Sequence, residues 1–214
     1  MPLQRTPLLS IALILALPVV YALTVLHGGS FWSGLSAKTA LDYGVIPAAP
    51  RFGDFLRSLF LHGSFPALLV DVIALGVFGL GVEDALGRVR FLVLYLLGGG
   101  LAVGLRLLVV PNSPAPAFAA VAAVAAVLSA YLILRPRARV VSLVPLPLFA
   151  TIVEVPAVLY LALWLGLQVW FALGGIDTPL AYDRGAALGS LAFGALTGVL
   201  LARPTLLAPS RAHA

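Results

Sequence analysis

A serine hydroxyl becomes a useful nucleophile only when a base stands within about 2.6 to 3.2 Å to take its proton. The serines and histidines are therefore the residues to test first. Ser113, Ser129 and Ser190, taken with His27, His62 and His213, form no convincing pair along the chain. His62 is the best candidate for a base, next to Gly63 where an apolar helix begins; the competing reading is a structural histidine at a loop–helix junction. The absence of cysteine removes thiolate catalysis, disulfides and Cys-type metal sites together. No His/Asp/Glu cluster has ligand spacing either, so neither a metal nor another cofactor is expected. Two ionisable residues inside apolar runs remain, Asp71 and Arg106. A charge in hydrocarbon costs at least about 2.5 to 3.5 kcal/mol on insertion scales, which makes them candidates for an intramembrane ion pair. In the alternative, Arg106 snorkels to the interface and Asp71 is neutral or hydrated in a cavity. Glu83 and Asp84 with Arg88 and Arg90 form a second charged group, expected to cap the second and third helices.

The elements that must position these residues are set by composition. With 214 residues, 62% hydrophobic and 10% charged, and a mean hydropathy of +1.11, the chain has more apolar surface than one soluble core can hide. The lipid bilayer is the expected partner. Pro7 to Leu26 carries no charge, and it is longer than a signal-peptide core of roughly 7 to 15 residues. Further apolar runs are Ser64 to Val82, Phe91 to Val110, Pro114 to Leu134, Pro156 to Leu173 and Gly185 to Ala202. Unpaired amides in lipid cost several kcal/mol each, so such runs read as helices. The fold class expected is an all-α polytopic membrane protein with six spans, a single domain over 1–204 and a short tail, 205–214.

The segment from Val141 to Val153, interrupted by Pro145 and Pro147, reads as a loop or half-buried lead-in to the fifth helix. The long connection 27–62, with Phe31, Trp32, Tyr43, Phe52 and Phe55, is expected to lie in the membrane interface. With the N-terminus inside, Arg5, Arg88, Arg90, Arg135, Arg137, Arg139, Arg203 and Arg211 are cytoplasmic, as the positive-inside rule favours. The formal charge of +5 thus reports topology. No basic amphipathic arm or aromatic platform points to nucleic acid, and no internal repeat of the transporter kind is present.

Small residues mark where helices approach closely. The fourth helix offers Ala119, Ala122 and Ala126, and the sixth offers Gly185, Gly189, Gly194 and Gly198 in two Gly-x-x-x-Gly steps. These are expected to touch.

Three blocks, Leu61-His62-Gly63, Phe78-Gly79 through Val82-Glu83-Asp84-Ala85-Leu86-Gly87, and Ala130-Tyr131-Leu132 through Arg135-Pro136-Arg137-Ala138-Arg139-Val140, resemble the bacterial rhomboid intramembrane serine proteases. The resemblance covers about residues 44 to 200 and implies a six-helix bundle with a serine on the fourth helix and a histidine on the sixth. Ala119-Ala120-Val121-Ala122 falls on the family's Gly-x-Ser-Gly, so Val121 stands at the nucleophile; Ala187 stands at the base. The family's oxyanion pattern His-x-x-x-x-His-x-x-x-Asn reads His62, Ala67, Asp71, and a carboxylate there would repel a developing oxyanion. Ser129 and Ser190 fall on family glycines and read as small packing residues. The resemblance therefore implies a pseudoprotease of the cytoplasmic membrane, with both termini inside, that binds transmembrane segments of client proteins. Two other readings stand beside it: an active serine protease with unrecognised catalytic residues, and a small-molecule or lipid transporter using the Asp71/Arg106 region.

Overall fold

The structure, a computed structural model, describes residues 6–32, 34–145, 150–172, 192 and 195–202. In chain order these form α1 (Leu8–Leu26), α2 (Ala37–Tyr43), α3 (Phe52–Ser58), α4 (Phe65–Ala74), a π-helical turn (Leu75–Gly79), α5 (Leu80–Leu86), α6 (Arg88–Val109), α7 (Ala120–Leu134), strands β1 (Arg139–Pro145) and β2 (Ala150–Pro156), and α8 (Ala157–Ala172). Residues 195–202 are helical.

Among the described residues three helices are long and apolar enough to cross a membrane: Leu8–Leu26, the continuous run Phe65–Leu86, and Arg88–Val109. Ala120–Leu134 and Ala157–Trp170 are apolar but shorter. Three of the six expected spans thus have the length and composition to cross. The outward faces carry lipid-type residues, as on α1, where Leu15 and Val19 are exposed while Ser10, Leu13, Leu17, Tyr21 and Thr24 form the buried stripe. α7 is buried nearly all round, from Ala122 to Leu128, so it is the central helix of the bundle.

Three expectations are corrected. The fourth helix begins at Ala120 and not near Pro114, because the backbone before it is already committed. Ala117 and Val45 exchange both backbone hydrogen bonds, and the Ala119 amide donates to the Ser58 carbonyl at 3.0 Å. Pro114 and Pro116 have no amide to continue a helix. The stretch read as a loop at 141–153 is instead an antiparallel hairpin, in register Arg139↔Pro156 through Pro145↔Ala150. Proline had argued for a loop, yet Pro145 and Pro156 both sit at strand ends, where a missing donor is tolerated. The molecule is accordingly mostly helical with one two-stranded sheet, not all-α. The second helix also continues past Val82 to Leu86 and stops at Gly87, whose φ of +80° suits glycine.

The connection 27–62 is folded. Ser36 caps α2 by accepting from the Thr39 amide at 3.1 Å, and the Val45–Ala117 bridge ties the connection to the α6–α7 segment. Phe31, Trp32 and Phe52 remain exposed on it.

Candidate functional site

Three buried side chains, His62, Trp164 and Gln168, converge on one carboxylate. Ser64 caps α4, its hydroxyl accepting from the Ala67 amide, and this sets the helix so that Asp71, two turns in, points inward and is fully buried. His62 lies just before the cap, and its Nε2 is 3.1 Å from Asp71 Oδ2. The other carboxylate oxygen, Oδ1, accepts from Trp164 Nε1 at 2.9 Å and from Gln168 Nε2 at 2.5 Å. Trp164 and Gln168 are four residues apart on α8 and therefore share a face, a stripe continued by the buried Ala157 and Leu161. Below this cluster the fully buried Tyr95 of α6 donates from its hydroxyl to the Leu59 carbonyl at 2.8 Å, which fixes the chain three residues before His62.

A lone carboxylate in such a place carries a heavy desolvation cost, offset only by well-placed donors. Indole and amide N–H groups can only donate to a carboxylate oxygen, and with its proton on Nε2 the imidazole does the same. The pattern is that of one carboxylate ringed by three N–H donors. Its consequence is mechanical: Asp71 ties α4 to α8 and holds the His62 corner against both.

A carboxylate holding an imidazole is also the orienting half of a nucleophilic triad. Among the described residues no hydroxyl is hydrogen-bonded to this imidazole. His62 Nδ1 is buried and has no hydrogen-bond partner among the described residues. Val121, half-buried in the first turn of α7, offers it nothing to deprotonate. Ser129 donates to the Ala125 carbonyl, Ser58 to the Phe55 carbonyl, and Ser113 accepts from the Ala115 amide, while the buried Ser10 hydroxyl, which has no partner among the described residues, lies on α1 beside the Glu83 cap. Ala67, where the family pattern has its second histidine, is buried and apolar. Ala187 lies outside the described residues.

Among the described residues the ion-pair partner of Asp71 is His62. Arg106 points instead at the α6–α7 connection, where its Nη2 donates to the Ala115 carbonyl at 3.3 Å. Glu83 and Asp84 also act separately. Glu83 is buried and accepts from the amides of Leu9 and Ser10 at 3.0 and 2.6 Å, so it caps the start of α1 rather than its own helix. Asp84 lies 3.7 Å from Arg135 at the end of α7.

Close packing forms the second part of the site. Ala119, Ala122 and Ala126 are all buried. A Cβ added at Gly98 of α6 would overlap the Ala126 side chain and meet the Ala122 carbonyl oxygen at 3.5 Å. One added at Gly99 would meet the Ala119 carbonyl oxygen at 3.0 Å, and one at Gly198 would overlap the Ala126 carbonyl. Ala126 is therefore gripped by α6 on one side and by 195–202 on the other. Gly185, Gly189 and Gly194 lie outside the described residues. Sequence reading missed Trp164, Gln168 and the Gly98-Gly99 step. The available signals were a single amide in an otherwise apolar α8, four residues after a tryptophan, and a run of glycines inside a membrane-length helix.

No curated protein and no solved structure matches the chain. A family model described as the Rhomboid domain does match, over residues 50–204. That range contains the His62–Asp71 corner, the central α7 and the α8 stripe that meets them, so on the extent of this match the chain belongs to the rhomboid family.

Proposed function

We propose that this is a six-span rhomboid-fold protein of the cytoplasmic membrane, with both termini inside, that does not hydrolyse peptide bonds and instead binds transmembrane helices of other proteins. The observation that carries the reading is the polar cluster: the imidazole and carboxylate are engaged in joining α4 to α8, and Val121 falls where the family resemblance puts the nucleophile. An apolar cleft of about 250 Å³ between α7, α8 and 195–202, lined in part by Leu128, Ser129, Leu161, Trp164 and Leu165, offers a client helix a place for its side chains. Small residues in its lining, Ala162 and Ala195, would let backbones approach.

The experiment is photocrosslinking in membranes with a benzophenone amino acid at Leu165, beside the cleft, and at Leu15, exposed on α1. Adducts with transmembrane segments of discrete membrane proteins at Leu165 and not at Leu15 are expected. Lipid adducts alone at both positions would overturn client binding.

A further inference from the structure

At the end of α1 where the 27–62 connection begins, a second cavity of about 350 Å³ opens between α1, α2 and α3. Its walls are sorted by chemistry. Val20, Leu23, Phe60 and Leu61 make an apolar part, while Thr24, His27, Thr39, Tyr43 and Arg57 make a polar part. Along α1, Val20 and His27 are seven residues apart, so the lining runs about 10 Å down the helix axis, from acyl-chain depth up to the helix end. The surface around it is apolar and exposed, as at Leu26, Phe52 and Leu56, which fits a place bathed in lipid and not in water.

The lining holds one guanidinium, that of Arg57, and no carboxylate. Arg57 is set in place by two contacts: Nη1 lies 3.2 Å from Asp54 Oδ1, and the guanidinium carbon sits 5.6 Å from the Tyr43 ring centroid. Asp54 engages one of the three guanidinium nitrogens, which together present five N–H donors in a fixed fork suited to phosphate. His27 Nδ1 is 2.7 Å from the Leu23 carbonyl, which can only accept, so Nδ1 carries a proton and Nε2 is the nitrogen left to meet a ligand.

We propose that this cavity is a binding site for one anionic phospholipid with a hydroxyl-bearing headgroup, whose phosphate meets Arg57, whose headgroup hydroxyl donates to His27 Nε2, and whose upper acyl chain lies along Val20, Leu23 and Phe60. The division of the walls is an amphiphile's own division, and the span of the lining matches a headgroup with the first part of its chain. A free phosphate would use only the polar part and leave the apolar part unfilled.

The test is native mass spectrometry and thermal melting of the full chain with phosphatidylglycerol, with phosphatidylcholine of the same chains, or with inorganic phosphate. The wild type is expected to retain one phosphatidylglycerol in preference to phosphatidylcholine and to melt higher with it. Arg57→Gln should reduce that preference about tenfold, the scale of one charge-assisted hydrogen bond. Leu23→Trp, which fills the apolar part, should lower retention of both lipids. An unchanged preference in Arg57→Gln would overturn the proposal. So would a melting shift with inorganic phosphate equal to that with phosphatidylglycerol, which would mark an ion site.

Discussion

The α6–α7 seam and the α4–α8 contact hold the same bundle together by opposite means. At the seam, Gly98 and Gly99 let the backbone of α6 come close against Ala119, Ala122 and Ala126, with no polar side chain involved. Between α4 and α8 one buried carboxylate collects donors from Trp164, Gln168 and His62. Packing of the first kind is intolerant of added volume and indifferent to chemistry. The second kind tolerates shape changes but not the loss of an acceptor. In lipid, where apolar burial gives little drive between helices, both devices are needed, and they are expected to fail differently.

The largest effect is expected at Asp71. Asp71→Ala leaves three buried N–H donors without an acceptor, and each such group costs about 1 to 3 kcal/mol. A steep fall in the melting temperature in detergent is expected. Asp71→Asn should cost far less, because its amide oxygen can still accept from Trp164 and Gln168 while its NH₂ can donate to His62 Nε2 once the imidazole proton moves to Nδ1. Equal losses in the two variants would show that charge, and not hydrogen bonding, holds the contact.

Gly98→Leu tests the other region. Forcing a side chain against Ala126 should destabilise by about 1 to 3 kcal/mol or more, while Gly104→Leu, at an open position on the same helix, should change little. Comparable melting curves for the two variants would contradict the seam.

A smaller effect is expected from the α8 donors taken singly. Side-chain hydrogen bonds within membranes average about 0.6 kcal/mol in double-mutant cycles, so Trp164→Phe and Gln168→Met should each cost about that much. Because both donate to one oxygen, the double change should be non-additive; strict additivity would mean the two bonds are independent. Most local is Glu83→Gln, which keeps one acceptor oxygen for the Leu9 and Ser10 amides but turns an NH₂ toward the other, and so weakens the cap of α1. A loss at the low end of the range of about 0.5 to 2 kcal/mol for helix caps is expected, read as faster amide exchange at Leu9 and Ser10.

The two regions also differ in how much of them the sequence discloses. An apolar run with one carboxylate announces that Asp71 matters, since charge in lipid is costly. It does not announce the partner, which depends on the rotation of α8 about its axis and on an uncharged amide, Gln168, that no charge-pairing argument would choose over Arg106. Alanine and glycine spacing pointed to α7 as a packing surface. The closest contacts described, at Gly98 and Gly99, come from the helix before it and not only from the last. The start of α7 and the 139–156 hairpin were hidden for a shared reason: hydropathy records side chains, whereas Ala117, Ala119 and the two strands are placed by backbone hydrogen bonds to distant segments.

The central claim is that the buried imidazole and carboxylate hold helices together and activate no hydroxyl. The most direct measurement is labelling of the purified full chain, in detergent and in membranes, with a fluorophosphonate probe, followed by mass spectrometry of every serine. The account predicts no adduct, in the wild type or in Ser113→Ala, Ser129→Ala and Ser190→Ala. An adduct on one serine that disappears when that serine is changed, accompanied by cleavage of a transmembrane substrate, would contradict it.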